Sequence, residues 1–151
     1  MADKACFVIS PIGLPDSDTK KRSDQVLKHI IKPAVNACGY TATRADEMSE
    51  PGLITSQVIQ RIVDDPLVVA DLTESNPNVF YEMALRHAVK KPLVQLIAKG
   101  ERSVEATKQE MMHRSKQWSC QEPSSTLRSL SRWICKHYDT AISLRIVLWR
   151  T

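Results

Sequence analysis

The chain has 151 residues, 42% of them apolar and 25% charged, which suffices for one domain with a real core and is too short for two comfortable ones. Its longest apolar runs, such as Leu67 to Ala70 and Leu93 to Ala98, are strand-sized, and the start MADKACFVIS lacks a positive region followed by a long apolar one; no membrane span or signal segment is expected, and the protein reads as soluble and cytoplasmic. The net charge of +4 is uneven, with 11 basic against 12 acidic side chains in residues 1–98 and 10 against 5 in residues 99–151, so the basic excess lies wholly in the tail and weakens a nucleic-acid reading.

Residues 5–10, ACFVIS, read as a buried strand, followed by a turn-rich stretch, PIGLPDSDTKKRS. A helix follows, with Leu27, Ile30, Ile31, Ala34, Val35 and Cys38 at helical spacing, and Pro33 inside that pattern should kink or restart it. Gly39 is placed to stop the helix before a second strand, Tyr40 to Arg44. After the loop RADEMSEPG, Ile54, Val58 and Ile62 mark one face of another helix, and Leu67 to Leu72 form a third strand, apolar nearly throughout as expected when both faces are covered. Asn76 makes a good N-cap and Pro77 a good first helical residue, so a helix is predicted from Pro77 to Val89. Lys91-Pro92 breaks it before a fourth strand, Leu93 to Ala98.

This alternation predicts a doubly wound parallel α/β sheet in a single three-layer α/β/α domain, with residues 1–98 as its core and 99–151 completing it. In the tail, helices are read near Ser103 to Ser115 and through Leu127, Leu130, Ile134 and Tyr138, then a final strand from Ile142 to Leu148, at a sheet edge. Cys6, Cys38, Cys120 and Cys135 show no C-x-x-C pair and no metal-ligand spacing, so buried thiols and no metal are expected. Trp118, Trp133 and Trp149 interleave with the basic tail, a combination that could stack on bases, although a solvated helical face is the blander reading.

Ligands of doubly wound sheets bind beyond the carboxyl ends of the strands. That rule points to Ser10, Ile12 and Gly13 after strand one, Asp46 and Glu47 after strand two, and Asp71 to Asn78 after strand three. With one glycine, SPIG is neither a dinucleotide loop nor a Walker A loop. Gly13 admits close backbone approach, and Arg22 could receive a phosphate. Glu82 falls just past the first turn of its helix, where residual dipole favours the carboxylate; such a group in a cleft can attack or stabilise an anomeric carbon. Its bland alternative is an ion pair with Arg86 at i+4. Asp71 and Asp46 offer acceptors for ribose hydroxyls, against capping and turn formation, and His87 reads as a packed or surface histidine.

Taken in order, CFVISPIG, the Arg22 and Asp24 pair, IIKPAVNACGY, RADE with PGLIT, VVADLTESNPNVFYEMALRHA and KPLVQLI resemble the nucleoside 2-deoxyribosyltransferase-like proteins, relatives of the Toll/interleukin receptor (TIR) NADase fold. The resemblance covers roughly residues 5–98. It implies a flavodoxin-like sheet and cleavage of an N-glycosidic bond in a nucleoside, a nucleotide or NAD. It assigns the catalytic glutamate to Glu82, a sugar or phosphate contact to Asn76, and pocket lining to the backbone from Ser10 to Gly13. It further implies a homo-oligomer in which a neighbouring subunit completes the pocket. Where relatives often read A-D-[LV]-V-[IV]-A-D, this chain has Pro66 at the first aspartate and Asp65 displaced by one residue.

The resulting expectation is glycosidic hydrolysis or transfer: Glu82 acts at C1′, Asp71 and Asp46 hold the ribose, and Asn76, Asn78 and Arg22 meet hydroxyl or phosphate. No cofactor is required, and NAD, if bound, is substrate. The competing expectations are a nucleotide-binding sensor or signalling module of the TIR-like type and, less favoured, a nucleic-acid-binding protein that uses the tail.

Overall fold

The structure is a computed structural model that describes residues 4–48, 54–98 and 142–147, the last as backbone. Strands β1 (Lys4–Ile9), β2 (Tyr40–Arg44), β3 (Leu67–Asp71), β4 (Leu93–Ala98) and β5 (Ile142–Val147) form one sheet in the order β2-β1-β3-β4-β5. The first four are parallel, and β5 closes the described sheet by pairing antiparallel with β4, from Leu93 opposite Val147 to Ala98 opposite Ile142. The predicted doubly wound α/β fold is therefore observed, with one antiparallel strand added at its edge.

Strand residues alternate between the two faces, as pleating requires. Cys6 and Val8 of β1 meet Leu27, Ile31, Ala34 and Val35 on one face, whereas Phe7 and Ile9 meet Val58, Ile62, Val79 and Met83 on the other. Both faces are thus covered by helices: α1 (Asp18–Val26) and α2 (Lys32–Asn36) on one side, α3 (Ile54–Asp64) and α4 (Pro77–Ala88) on the other. All five residues of β3 are buried, Asp71 included, the burial that a nearly continuous apolar run anticipates. Burying a side chain such as Phe7 stabilises the fold by roughly 1.5–3 kcal/mol.

Two local differences from the sequence reading have physical causes. Helix α1 begins at Asp18, inside the stretch read as a loop, because the Ser17 hydroxyl caps it by accepting from the Lys20 N–H at 3.1 Å. Its mostly polar sequence carries little apolar periodicity. Pro33 restarts the helix as predicted: a π-helical turn, Leu27–Ile31, precedes it, and the Lys32 N–H reaches back to the Leu27 carbonyl. Gly39 ends α2 with φ +76, a left-handed conformation that side chains disfavour.

The predicted helices at 103–115 and 127–138, and Cys120 and Cys135, lie outside the described residues. Cys6 is buried and Cys38 half-buried, both as free thiols, and burial pushes Cys6 up to about 12. Among the described residues no helix is long and apolar enough to cross a membrane.

Candidate functional site

The chain winds outward from β1 to β2, crosses back to β3, and winds outward the other way to β4, so the direction reverses between β1 and β3. At such a reversal the connecting loops part above the carboxyl ends of the strands and leave a crevice. Ser10 to Gly13 follow β1, and Asp71 ends β3 with Leu72 to Asn76 after it, so two of the three predicted stretches flank this crevice.

Asp71, 1% exposed at the end of β3, is the anchor. Its Oδ2 accepts from Arg22 Nη1 at 2.9 Å, and its Oδ1 from the Thr73 N–H at 3.0 Å. Arg22 also donates through Nε to Glu74 Oε1 at 2.6 Å, and Thr19 donates to the other Glu74 oxygen at 2.8 Å. Burial would lower the Arg22 pKa, but the carboxylates of Asp71 and Glu74 more than offset it and hold the guanidinium charged. Arg22 and Asp71 also wall a cavity of about 200 Å³, between Val26 and Ile30 on one side and Leu96 and Ala98 on the other.

A second network sits above β1 and β2. The guanidinium of Arg44, only 2% exposed, donates to Asp46 at 2.6 and 2.7 Å, to Asp24, and to the Ser23 hydroxyl at 2.7 Å. Lys20 bonds the same two carboxylates, Asp24 at 2.9 Å and Asp46 at 2.6 Å, and the Ser23 hydroxyl lies 3.1 Å from that of Ser10. Burial opposes the charge on Asp46, but the hydrogen bonds from Arg44 and Lys20 prevail and hold its carboxyl at about 2. Glu47 is drawn instead to Lys32, at 2.5 Å.

Helix α4 carries Glu82. Asn76 caps it, its Oδ1 accepting from the N–H groups of Asn78 at 2.9 Å and Val79 at 3.4 Å, and Pro77 follows as the first helical residue. Glu82 lies three residues after Val79 and four before Arg86, both buried, so it sits at the flank of the stripe facing the sheet. That position leaves its carboxylate half-buried, and burial raises its pKa. The dipole expected to favour ionisation fades within the first turn, so desolvation decides the sign. The alternative pairing with Arg86 does not form. Arg86 is fully buried and donates to the carbonyls of Ile62 at 2.8 Å, Asp65 at 2.9 Å and Pro92 at 2.9 Å. Among the described residues, Glu82 has no hydrogen-bond or ion-pair partner.

The predicted residues thus fall into three groups: Arg22 with Asp71, Asp46 with Ser10 through Arg44 and Ser23, and Asn76, Asn78 and Glu82 along α4. No polar contact joins Glu82 to the other two groups. Gly13, at φ +69, has a reason of its own, since a Cβ there would lie 2.6 Å from the Ser17 hydroxyl that caps α1. Ile12 is half-buried in the same loop. Asp65 precedes β3, at the amino ends of the strands, where it pairs with Arg61 at 2.9 Å away from the crevice. Glu74 lies within the stretch Asp71 to Asn78 that the fold rule indicates, without a role of its own in the sequence, and Arg44 stands at the end of β2, where the sequence marks only a strand end.

The sequence matches no protein-family model and no curated protein. Among solved structures, a 2-deoxyribosyltransferase from Leishmania mexicana is similar over 89% of this chain and 99% of that one, with a TM-score of 0.53 at 12% identity. A CMP N-glycosidase of Clostridium botulinum, BcmB, matches 70% of this chain and 82% of its own, with a TM-score of 0.48 at 15% identity. The fold is therefore of the kind seen in the deoxyribosyltransferase.

Proposed function

We propose that the protein cleaves an N-glycosidic bond in a nucleoside-type substrate, by hydrolysis or by transfer of the sugar, with Glu82 as the reacting carboxylate. The observation that carries this reading is a half-buried glutamate with no polar partner among the described residues, on the helix leaving β3, in a chain with the fold of a 2-deoxyribosyltransferase. A carboxylate paired with Arg86 would be spent on structure. Glu82 is not paired, and its partial desolvation strips water from a group that must approach carbon.

In this mechanism a Glu82 oxygen forms a bond to C1′ as the bond from C1′ to the base nitrogen breaks. The base leaves with the electron pair and takes up a proton from solvent, and the incoming water or second base gives a proton back to solvent in the next step. Water or a second base then displaces the glutamate from C1′, which releases the sugar or completes a transfer. Asp71 retains acceptor capacity beyond Arg22 and Thr73 and can take a ribose hydroxyl, as can Asp46. Asn76 and Arg22 meet other sugar oxygens. No redox cofactor enters these steps, and NAD would serve as substrate.

Incubating the protein with a panel of deoxynucleosides, ribonucleosides, nucleoside monophosphates and NAD, and separating free base by chromatography, tests the reading. Release of base from a member of the panel supports it. Binding of a panel member without release from any of them would favour the sensor reading in its place.

A further inference from the structure

We propose that Glu74 is a resident anion, occupying the position where a substrate phosphate would be held, and that it makes the site select a nucleoside over the corresponding 5′-monophosphate. This rests on the glycosidic reading of the crevice.

Both carboxylate oxygens of Glu74 are gripped by α1, one by the Arg22 guanidinium at 2.6 Å and the other by the Thr19 hydroxyl at 2.8 Å. A guanidinium beside a hydroxyl is the kind of donor set that receives phosphates. Here the protein supplies the anion itself. The loop that delivers it has an uncommon backbone, with Glu74 at φ 70 and Ser75 at φ 50, left-handed conformations that residues other than glycine seldom adopt. The two bonds to α1 hold that shape across the crevice.

The cations paired beside the crevice are already committed to carboxylates, three against four. Arg22 faces two carboxylates, Asp71 and Glu74. Lys20 and Arg44 share Asp24 and Asp46. None of these cations is left over for a phosphate, whose two charges would meet an excess of carboxylate. Arg22 Nη2, in contrast, is buried and makes no hydrogen bond among the described residues, so the guanidinium's other two donor nitrogens, both already on carboxylates, are the ones that face anions.

The test compares kcat/KM for base release from a deoxynucleoside and from its 5′-monophosphate, in wild type and in the isosteric Glu74→Gln variant. Wild type should favour the nucleoside by about tenfold or more, and Glu74→Gln should shrink that preference by about tenfold. Since Glu74 is partly exposed, raising the ionic strength should also narrow the wild-type preference. Thr19→Val, which removes one donor to Glu74 without changing charge, should move the ratio less than Glu74→Gln does. A wild type that uses the monophosphate as well as the nucleoside overturns the inference, as does a ratio that Glu74→Gln leaves unchanged. If neither substrate loses its base, calorimetric titration with the same two ligands separates the claims. Nucleoside preference in wild type that weakens in Glu74→Gln supports the role of Glu74 while the glycosidic reading fails, and binding of neither ligand overturns both.

Discussion

Arg86 stands four residues after Glu82 on α4, yet its guanidinium turns into the core and donates to the carbonyls of Ile62, Asp65 and Pro92. The helix that presents Glu82 is thereby tied at its other end to the ends of α3 and the start of β4. Burial pulls the Arg86 pKa down to about 10, so the charge persists at neutral pH.

Replacing Arg86 by alanine should therefore be a folding defect. It leaves buried carbonyls without donors and opens a cavity, and a loss on the order of 3–5 kcal/mol is expected from urea unfolding. Arg86→Lys should recover only part of it, because one ammonium cannot span carbonyls from three segments.

Glu82→Gln should have the opposite effect on stability. The folded-state pKa of Glu82 lies above its unfolded value of 4.5, so the folded protein binds this proton more tightly. Its contribution to stability is best below pH 4.5 and is lost as the pH rises through the folded value. Removing the charge should raise the melting temperature at pH 7, and the gain should fade on acidification. A group that weakens the fold where it sits is common at functional sites.

The same shift sets the acid limb of the rate profile. Glu82 must be ionised to attack C1′, so kcat/KM should fall with decreasing pH about an inflection above the ordinary glutamate value of 4.5. An inflection at or below that value would assign the limb to another group.

Asp46 provides the reverse sign. Its folded value of about 2 lies below the unfolded 3.8, so its stabilisation is complete above 3.8 and is lost as the pH falls through 2. Asp46→Asn should be less stable than wild type at pH 7, and the two melting temperatures should converge between those values.

Much of the fold was legible because its signals are local. The Gly39 stop gave β2 and the run Leu93 to Ala98 gave β4, both with their observed ends, and Asn76-Pro77 gave the start of α4 through capping chemistry. Helix α1 was shortened because Ser17 capping and a polar face leave no periodic trace. The antiparallel pairing of β5 depends on a partner distant in sequence. At the site, the fold rule located the right strand ends, but side-chain pairing across the crevice joins Arg22 to Asp71 and Glu74, some fifty positions apart, and Arg44 to Asp24, twenty apart. Spacing along the chain carries no trace of such contacts. It also left open whether Arg86 pairs with Glu82, which only the burial of Arg86 decides.

The central claim is that Glu82 is the reacting carboxylate, and the most direct measurement is the rate of base release by wild type and Glu82→Gln on the same deoxynucleoside. The glutamine keeps the shape of the side chain and removes its nucleophilic charge. A fall of about a thousandfold or more, in a variant that melts at least as high as wild type at pH 7, is the predicted result. Comparable rates in the two proteins would contradict it and place the chemistry on another residue.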